Sequence, residues 1–367
     1  MFLAIREMKH AKFKYLLIGL IMVLIAWLVF FVSGLAQGLS SDNASAIQKM
    51  EADYILLQKD AEHRITRSML SEKQLDDVNQ YIKKENIEPL GVQMTAITNG
   101  EAAKKVDVTF FAVNTKGSLM PDLVEGKQIN NETKDKVIAD ISLKEEGLAV
   151  GDQVTDEISG QTFTISGFTK DQSFSHSPVI FMNYEAWKAM NESKMNKGQL
   201  GFNAIALQAN QNQMTDIKNH MSDIDVITIN EALKGIPGYS EEQGSLLMMI
   251  VFLFIIAAFV LAVFFYVITI QKMNQFGVLK AIGAKFAYLA RNIMSQVMLL
   301  SVISLVISIA LTYGISYMLP SSMPFDLSLG LVAGCSALFL VVSVVGSLLS
   351  LYRVAKIDAI EAIGRAA

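Results

Sequence analysis

Four long stretches without a charged side chain punctuate this chain: Tyr15–Ser41, Gln243–Gln271, Asn292–Phe325 and Leu327–Tyr352. Each exceeds the ~20 residues that cross a ~30 Å hydrocarbon core at ~1.5 Å per residue. A backbone in lipid must satisfy its own polar groups, so each run is read as a helix. The spans are placed at 15–41, 244–271, 288–319 and 328–352. A basic stretch with Arg6, Lys9, Lys12 and Lys14 precedes the first span. A signal-peptide core would be only ~7–15 residues, so the first run is read as an uncleaved span.

The segment between the first two spans, 42–243, changes period. DYILLQK (53–59) and VDVTFFAV (106–113) read as strands. Between them, Ser71 with Gln74 three residues on forms a capping-box pattern ahead of Leu75, Val78 and Ile82 at helical spacing. GDQVTDEISGQTFTISGF (151–168) reads as a hairpin turned at Ser159–Gly160. PVIFMN, FNAIALQ and DVITI read as further strands; YEAWKAM and NQMTDIKNHM read as short helices. The fold class is therefore an integral membrane protein with four transmembrane α-helices and one large α+β extracytoplasmic domain, expected to have two lobes, between helices 1 and 2.

Charge orients the chain. The N-terminal segment 1–14, the connector 272–287 and the tail 353–367 are rich in Lys and Arg. The short loop 320–327 has neither and holds Asp326. The positive-inside rule puts the first three in the cytoplasm and segment 42–243 outside. That outer segment carries 31 acidic and 20 basic residues, a formal charge of −11 against +7 for the remainder, which argues against nucleic-acid binding. Apolar residues make up 52% of the chain, and the mean hydropathy is +0.37. The single cysteine, Cys335, lies in the fourth span, so the outer domain is held by its core and not by disulfides.

Catalytic signatures are missing. There is no GxxxxGK[ST] phosphate cradle, no HExxH, no CxxC and no GxSxG. His10, His63, His176 and His220 are scattered. The spans hold almost no ionisable group apart from Arg291 near the start of the third, unlike an ion-coupled carrier. Energy for any transport is expected to come from elsewhere.

The connector MNQFGVLKAIGAK (273–285) is cationic yet keeps an apolar set. On a helix, Phe276, Leu279 and Ile282 share a face, flanked by Lys272, Lys280 and Lys285. Such a helix rests on anionic lipid or docks into a groove of a cytosolic partner. Gly277 and Gly283 weaken the helix, which favours close approach to a partner. Gly34 and Gly38 form a GxxxG in the first span, read as a dimer contact.

FGVLKAIGAKFAYL resembles the coupling-helix motif of FtsX-like (MacB-type) ABC transporter permeases, which reads roughly IGVLRALGA. The four-span topology, the GDQVTDEISGQTFTISGF stretch and the tail KIDAIEAI are also similar to that family, with Ala359 where proline is common. The match runs over nearly the whole chain. FVSGLAQGLS, YSEEQGSLLMMI, FFYVITIQKMNQFGVLKAIG and MLPSSMPF resemble most closely the haem-efflux permeases of Gram-positive bacteria. The resemblance implies a multi-pass plasma-membrane homodimer, a separate cytosolic ABC ATPase that hydrolyses ATP, no ATPase of its own, and haem as cargo taken from the membrane. It makes Phe276, Gly277, Leu279, Lys280, Ile282 and Gly283 ATPase-coupling residues. Relatives that drive an extracytoplasmic partner mechanically, or that confer resistance to antimicrobial peptides, are the alternatives.

If haem is the cargo, a lateral site at the outer ends of the spans suits a flat apolar plate with a ferric iron and two propionates. Glu242 and Tyr239 are the candidate iron ligands, with Glu241 beside them. Met248 and Met249 offer adaptable apolar surface; Trp27, Phe30 and Phe31 offer stacking rings. Phe174 and His176 overhang from the outer domain. The competing reading of YSEEQ is a helix start whose acids favour the macrodipole.

Overall fold

The computed structural model describes residues 12–99, 104–191, 201–320 and 323–355. Arg6, Lys9 and the tail residues Lys356, Ala359 and Arg365 lie outside the described residues. In chain order the elements are α1 (Lys12–Gln48), β1 (Tyr54–Gln58), β2 (Leu70–Ser71), α2 (Glu72–Val78), β3 (Ile87–Asn99), β4 (Lys105–Ala112), β5 (Glu125–Gly126) and β6 (Lys136–Asp140). They continue as β7 (Gln153–Asp156), β8 (Thr162–Thr169), β9 (Ser173–Phe174), β10 (Ser177–Met182), α3 (Tyr184–Asn191), β11 (Gly201–Phe202), β12 (Ala204–Leu207), α4 (Gln211–His220), β13 (Ile224–Thr228) and α5 (Ile229–Lys234). The last are α6 (Tyr239–Gln271), α7 (Met273–Ala281), α8 (Phe286–Ser316) and α9 (Leu329–Ala355).

The chain divides into a membrane unit, residues 1–38 with 245–367, and an outer unit, residues 39–244. In the membrane unit α1, α6, α8 and α9 are long and apolar enough to cross a bilayer. Their buried stripes follow helical spacing: Tyr15, Ile18, Met22, Ala26 and Phe30 on α1 meet Leu261, Phe265 and Ile268 on α6, Leu289, Ile293 and Val297 on α8, and Phe339 on α9. Apolar contact gives no net drive between helices in lipid, so polar and small residues fix the register. The Ser308 hydroxyl donates to the Val23 carbonyl at 2.8 Å, and Ser304 donates to that of Gly19 at 3.4 Å, tying α8 to α1. The opposite faces carry exposed Leu16, Leu20, Leu24 and Leu28 on α1 and Phe252, Ile256, Phe259 and Val263 on α6.

The outer unit is built on one mixed sheet in the order β13-β1-β12-β3-β4-β10-β6-β8-β5, with β7 joining β3 to β8. The thirteen-residue β3 links its parts: Ile87–Leu90 pair with β12, Gly91–Thr98 with β4, and Ile97–Asn99 with β7. Continuous pairing along β3 makes the expected lobes two ends of a single sheet. Strands β4/β10 and β6/β8 pair in parallel, and the apolar runs of β10 (Pro178–Met182) and β6 (Val137–Ala139) fit their burial on both faces. The β7–β8 hairpin turns where the sequence predicts, with Gly160 at φ +70° and Asp156 accepting from the Ser159 backbone N–H at 2.8 Å. The capping boxes of α2 (Ser71/Gln74), α4 (Asn210/Gln213) and α5 (Thr228/Glu231) are all closed.

Candidate functional site

The predicted site residues fall into three places. The first lies within the outer unit, where α1 runs on past Gly38 and α6 begins. Gly238, at φ +80°, lets the chain turn out of α5 and start α6 at Tyr239, with the Glu242 N–H donating to the Gly238 carbonyl. The loop between β8 and β10 is laced to α1. The Ser173 N–H donates to Ser45 Oγ at 2.9 Å, Ser173 Oγ to the Ser41 carbonyl at 3.1 Å, and the Ser175 N–H to the Asn43 carbonyl at 2.7 Å. Asp140 anchors the same loop by accepting from the Gln172 N–H at 2.8 Å and the Ser142 N–H at 2.9 Å. Burial pushes the Asp140 carboxyl above its ordinary pKa, although those bonds pull it back.

This lacing, with Ser175 and His176 both at positive φ, sets the His176 ring between two carboxylates. Its Nδ1 lies 2.9 Å from Asp42 Oδ2 and its Nε2 lies 3.4 Å from Glu242 Oε2. The buried Asn43 amide donates to the same Glu242 oxygen at 2.5 Å, while its own Oδ1 has no hydrogen-bond partner. Gln48 Nε2 donates to the Tyr239 hydroxyl at 3.3 Å. Glu242 and His176 therefore meet directly, Tyr239 is held against α1, and Glu241 is exposed to solvent. The arrangement offers one oriented carboxylate and one phenol as single axial ligands. Among the described residues, no group of three or more His, Cys, Asp or Glu side chains is placed to enclose a metal ion. Asp42 and Asn43 escape a sequence reading because their partners are 134 and 199 residues away.

One expectation here is corrected. Phe174 does not overhang the site. It is 2% exposed in the outer core and packs its ring 5.7 Å from that of Phe111.

The second place is in the membrane unit. Trp27, Phe31 and Phe325 form a ladder of rings with centroids 5.9 and 5.6 Å apart, and Trp27 Nε1 is buried without a partner. Phe30 is turned away, 1% exposed in the bundle core, so it is not a stacking surface. Met248 and Met249 are exposed on α6. Gly34 and Gly38 correct the dimer expectation. A Cβ on Gly34 would lie 2.6 Å from the Phe325 ring, and one on Gly38 would lie 2.3 Å from the Pro324 carbonyl oxygen. The close approach that GxxxG allows is taken by a loop of the same chain, fixed by the Asp326 N–H donating to the Gly34 carbonyl at 3.1 Å.

The third place is the connector. It is helical over Met273–Ala281, shorter than the stretch to Lys285 that periodicity suggests. Gly283 explains the end. At φ +100° it adopts the left-handed stop, and the Ala284 N–H donates back to the Leu279 carbonyl at 2.9 Å. Gly283 is thus a helix terminator, which replaces the partner-approach reading. Leu279 packs on the bundle core while Val278 and Ile282 are exposed, so the expected shared face of Leu279 and Ile282 is split. Gly277 is buried; Phe276 and Lys280 are helical, and their side chains lie outside the described ones.

The profile of the FtsX-like permease C-terminal family matches residues 247–359, which covers α7 and the spans on either side. Two relatives align over almost the whole chain. One from Staphylococcus haemolyticus is 35% identical over 99% of both chains, and one from Staphylococcus epidermidis is 31% identical over 99% of both. Both are named as hemin transport system permease protein HrtB. This chain belongs to the FtsX-like ABC permeases.

Among solved structures, the periplasmic region of MacB from Actinobacillus actinomycetemcomitans overlaps 49% of this permease and 90% of its own chain, at 13% identity and a TM-score of 0.36. As a member of its family the permease is the membrane subunit of an ABC transporter, a multi-pass protein of the cell membrane that works with a cytosolic ATPase. The family profile spans the connector α7.

Proposed function

We propose that this permease exports haem from the membrane, powered by ATP hydrolysed on a separate subunit. The observation that carries the reading is the end-to-end relationship to the two permeases named for hemin transport. Two copies of the chain supply the membrane halves, with the segments before α1 and after α9 and the connector α7 on the cytoplasmic side. Haem enters laterally at the outer ends of the spans. Its propionates stay near the headgroups and its plate lies against apolar and aromatic side chains. Glu242 ligates the ferric iron, with Tyr239 as second oxygen donor. ATP binding draws two ATPase subunits together; each grips an α7, and the shift closes the site and expels the cargo.

The oriented Glu242 carboxylate supports this assignment, because Asn43 holds one of its oxygens and leaves lone pairs for a hard Lewis acid. The test is absorption titration of the purified permease with haemin. Wild type should give a shifted Soret band, and Glu242→Ala should weaken binding at least ~10-fold, equivalent to about 1.4 kcal/mol. Tyr239→Phe should show a smaller loss. A wild-type chain that neither shifts the Soret band nor protects cells from haemin removes haem as cargo and leaves the ABC permease.

A further inference from the structure

The best-defined polar cluster inside the membrane unit is at the junction of α6 and α7. Lys272 occupies the single turn residue between Gln271 and Met273, yet it is buried, 6% exposed. Its Nζ donates to Gln296 Oε1 on α8 at 2.8 Å. The Tyr15 hydroxyl on α1 donates to the same oxygen at 3.0 Å, and the Lys272 ammonium lies 5.7 Å from the centre of the Tyr15 ring. Gln296 and Tyr15 are themselves 3% and 5% exposed. One amide oxygen thus gathers donors from α1 and from the α6–α7 turn onto α8. Tyr15, Ile18, Ile268, Leu289 and Ile293 belong to one buried apolar cluster of the bundle.

A lysine at a helix end normally threads its amine out to water and headgroups. This one turns inward. Ionisable groups drawn into a membrane bundle mark function more often than packing. The site also occupies the one covalent route from α7 to α6. At its other end α7 stops at Gly283 in a left-handed turn. A displacement of α7 therefore has two exits: bending at Gly283 or motion through residue 272.

We infer that Lys272, Gln296 and Tyr15 form the transmission joint of this permease, with Lys272 as a positioning residue that clamps the α6–α7 turn to α1 and α8. The clamp keeps the turn from flexing, so a shift of α7 is passed to three spans at once. Without it, α7 still engages the ATPase but moves alone.

The test uses the full permease assembled with its ATPase subunit in nanodiscs, in a Cys335→Ser background. Spin labels are placed at Val278→Cys on α7 or Leu28→Cys on α1, both exposed positions. Distances between the two copies are measured without nucleotide and after trapping with ATP and vanadate. Wild type should shift at both positions. Lys272→Met, which keeps the stem and removes the donor, should keep the shift at 278 and lose most of it at 28. Gln296→Leu should do the same, the Lys272→Met/Gln296→Leu pair should be no worse than either alone, and Gln296→Glu, which restores an acceptor, should recover the shift at 28. A merely structural role would reduce both positions together or neither. If Lys272→Met does not assemble, Tyr15→Phe removes one hydroxyl from the same oxygen and should lower the ratio of the two shifts at least ~2-fold. Equal shifts at 28 in wild type and variants, a wild type that does not shift there, or no recovery in Gln296→Glu overturns the inference. None of these readings uses haem, so the joint and the cargo assignment fail separately.

Discussion

Adding a single methyl at Gly38 or Gly34 tests whether the outer end of α1 packs against its own chain. The built Cβ of Gly38 lies 2.3 Å from the Pro324 carbonyl oxygen and 2.4 Å from its carbon, and backbone cannot swing aside as a side chain can. Ordinary contact begins near 3.4 Å, so the 323–327 segment must retreat about 1 Å, straining the Asp326 to Gly34 hydrogen bond. Overpacking of this kind costs roughly 1–3 kcal/mol, and a backbone clash belongs near 3. The Gly34 methyl meets ring carbons of Phe325 at 2.6 and 2.7 Å. That ring can tilt away, at the expense of its contact with Phe31, so Gly34→Ala belongs near ~1 kcal/mol. The difference changes the folded-to-unfolded ratio by a factor of roughly 5–30. The chain has two tryptophans, so a Trp187→Phe background leaves Trp27 as a reporter beside Phe31. Its emission through a denaturant titration in mixed micelles gives the ordering Gly38→Ala below Gly34→Ala below wild type. Combining Gly34→Ala with Phe325→Ala should show a favourable coupling of ~0.5–1 kcal/mol, because the methyl then has room. Losses that vanish on dilution of the permease would point to contact between copies and refute the intrachain packing, as would two variants within ~0.5 kcal/mol of wild type.

Gly283→Ala forces an alanine to φ +100° and should destabilise the α7–α8 turn by about 1 kcal/mol or more, read as faster proteolysis there and weaker stimulation of the ATPase. Asn203→Leu strands the Val92 N–H, which donates to its Oδ1 at 2.7 Å, and the Ser68 carbonyl, which accepts from its Nδ2 at 3.1 Å; the outer unit should lose about 2–4 kcal/mol on denaturant unfolding. Asp140 has a carboxyl pKa raised by burial, so its titration favours the fold most below its ordinary value of 3.8 and that contribution is lost as pH rises through the raised folded value. Across that window Asp140→Asn should show a flatter stability–pH curve than wild type.

The membrane helices are legible because a bilayer imposes a length and forbids charge, and both are visible one residue at a time. The span expected at 244–271 lies inside α6, that at 328–352 begins one residue before α9, and α1 extends the first by three residues before Tyr15 and seven after Ser41. Capping boxes and the Ser159–Gly160 turn are legible for the same reason, since their partners lie within a few residues. The sheet is less so. Strand β3 is passed over, because Pro89 and Gly91 interrupt its start, Gln93 and Thr95 dilute its apolar pattern, and two of its three pairings, with β7 and β12, are with strands distant in the chain. β6 is defined by its place between β10 and β8.

The functional clusters divide along the same line. Tyr239, Glu241 and Glu242 attract attention as polar residues at the mouth of an apolar run. Asp42, Asn43 and His176 complete that cluster only because a laced loop returns to α1, and no spacing encodes the return. Gly34 and Gly38 show how a local signal can be right about physics and wrong about the partner: the motif says that something comes close, and the chain's own loop does. Lys272 is the sharpest case. Counted along the sequence, it is one more positive charge orienting the connector, which requires only that it reach the cytoplasmic face. In the fold its amine is buried and turned to the Gln296 amide oxygen, a position that charge counting does not demand and that costs hydration. A group held there against that cost is fixed by the geometry of the three helices, so its removal should alter how they move together more than whether they insert.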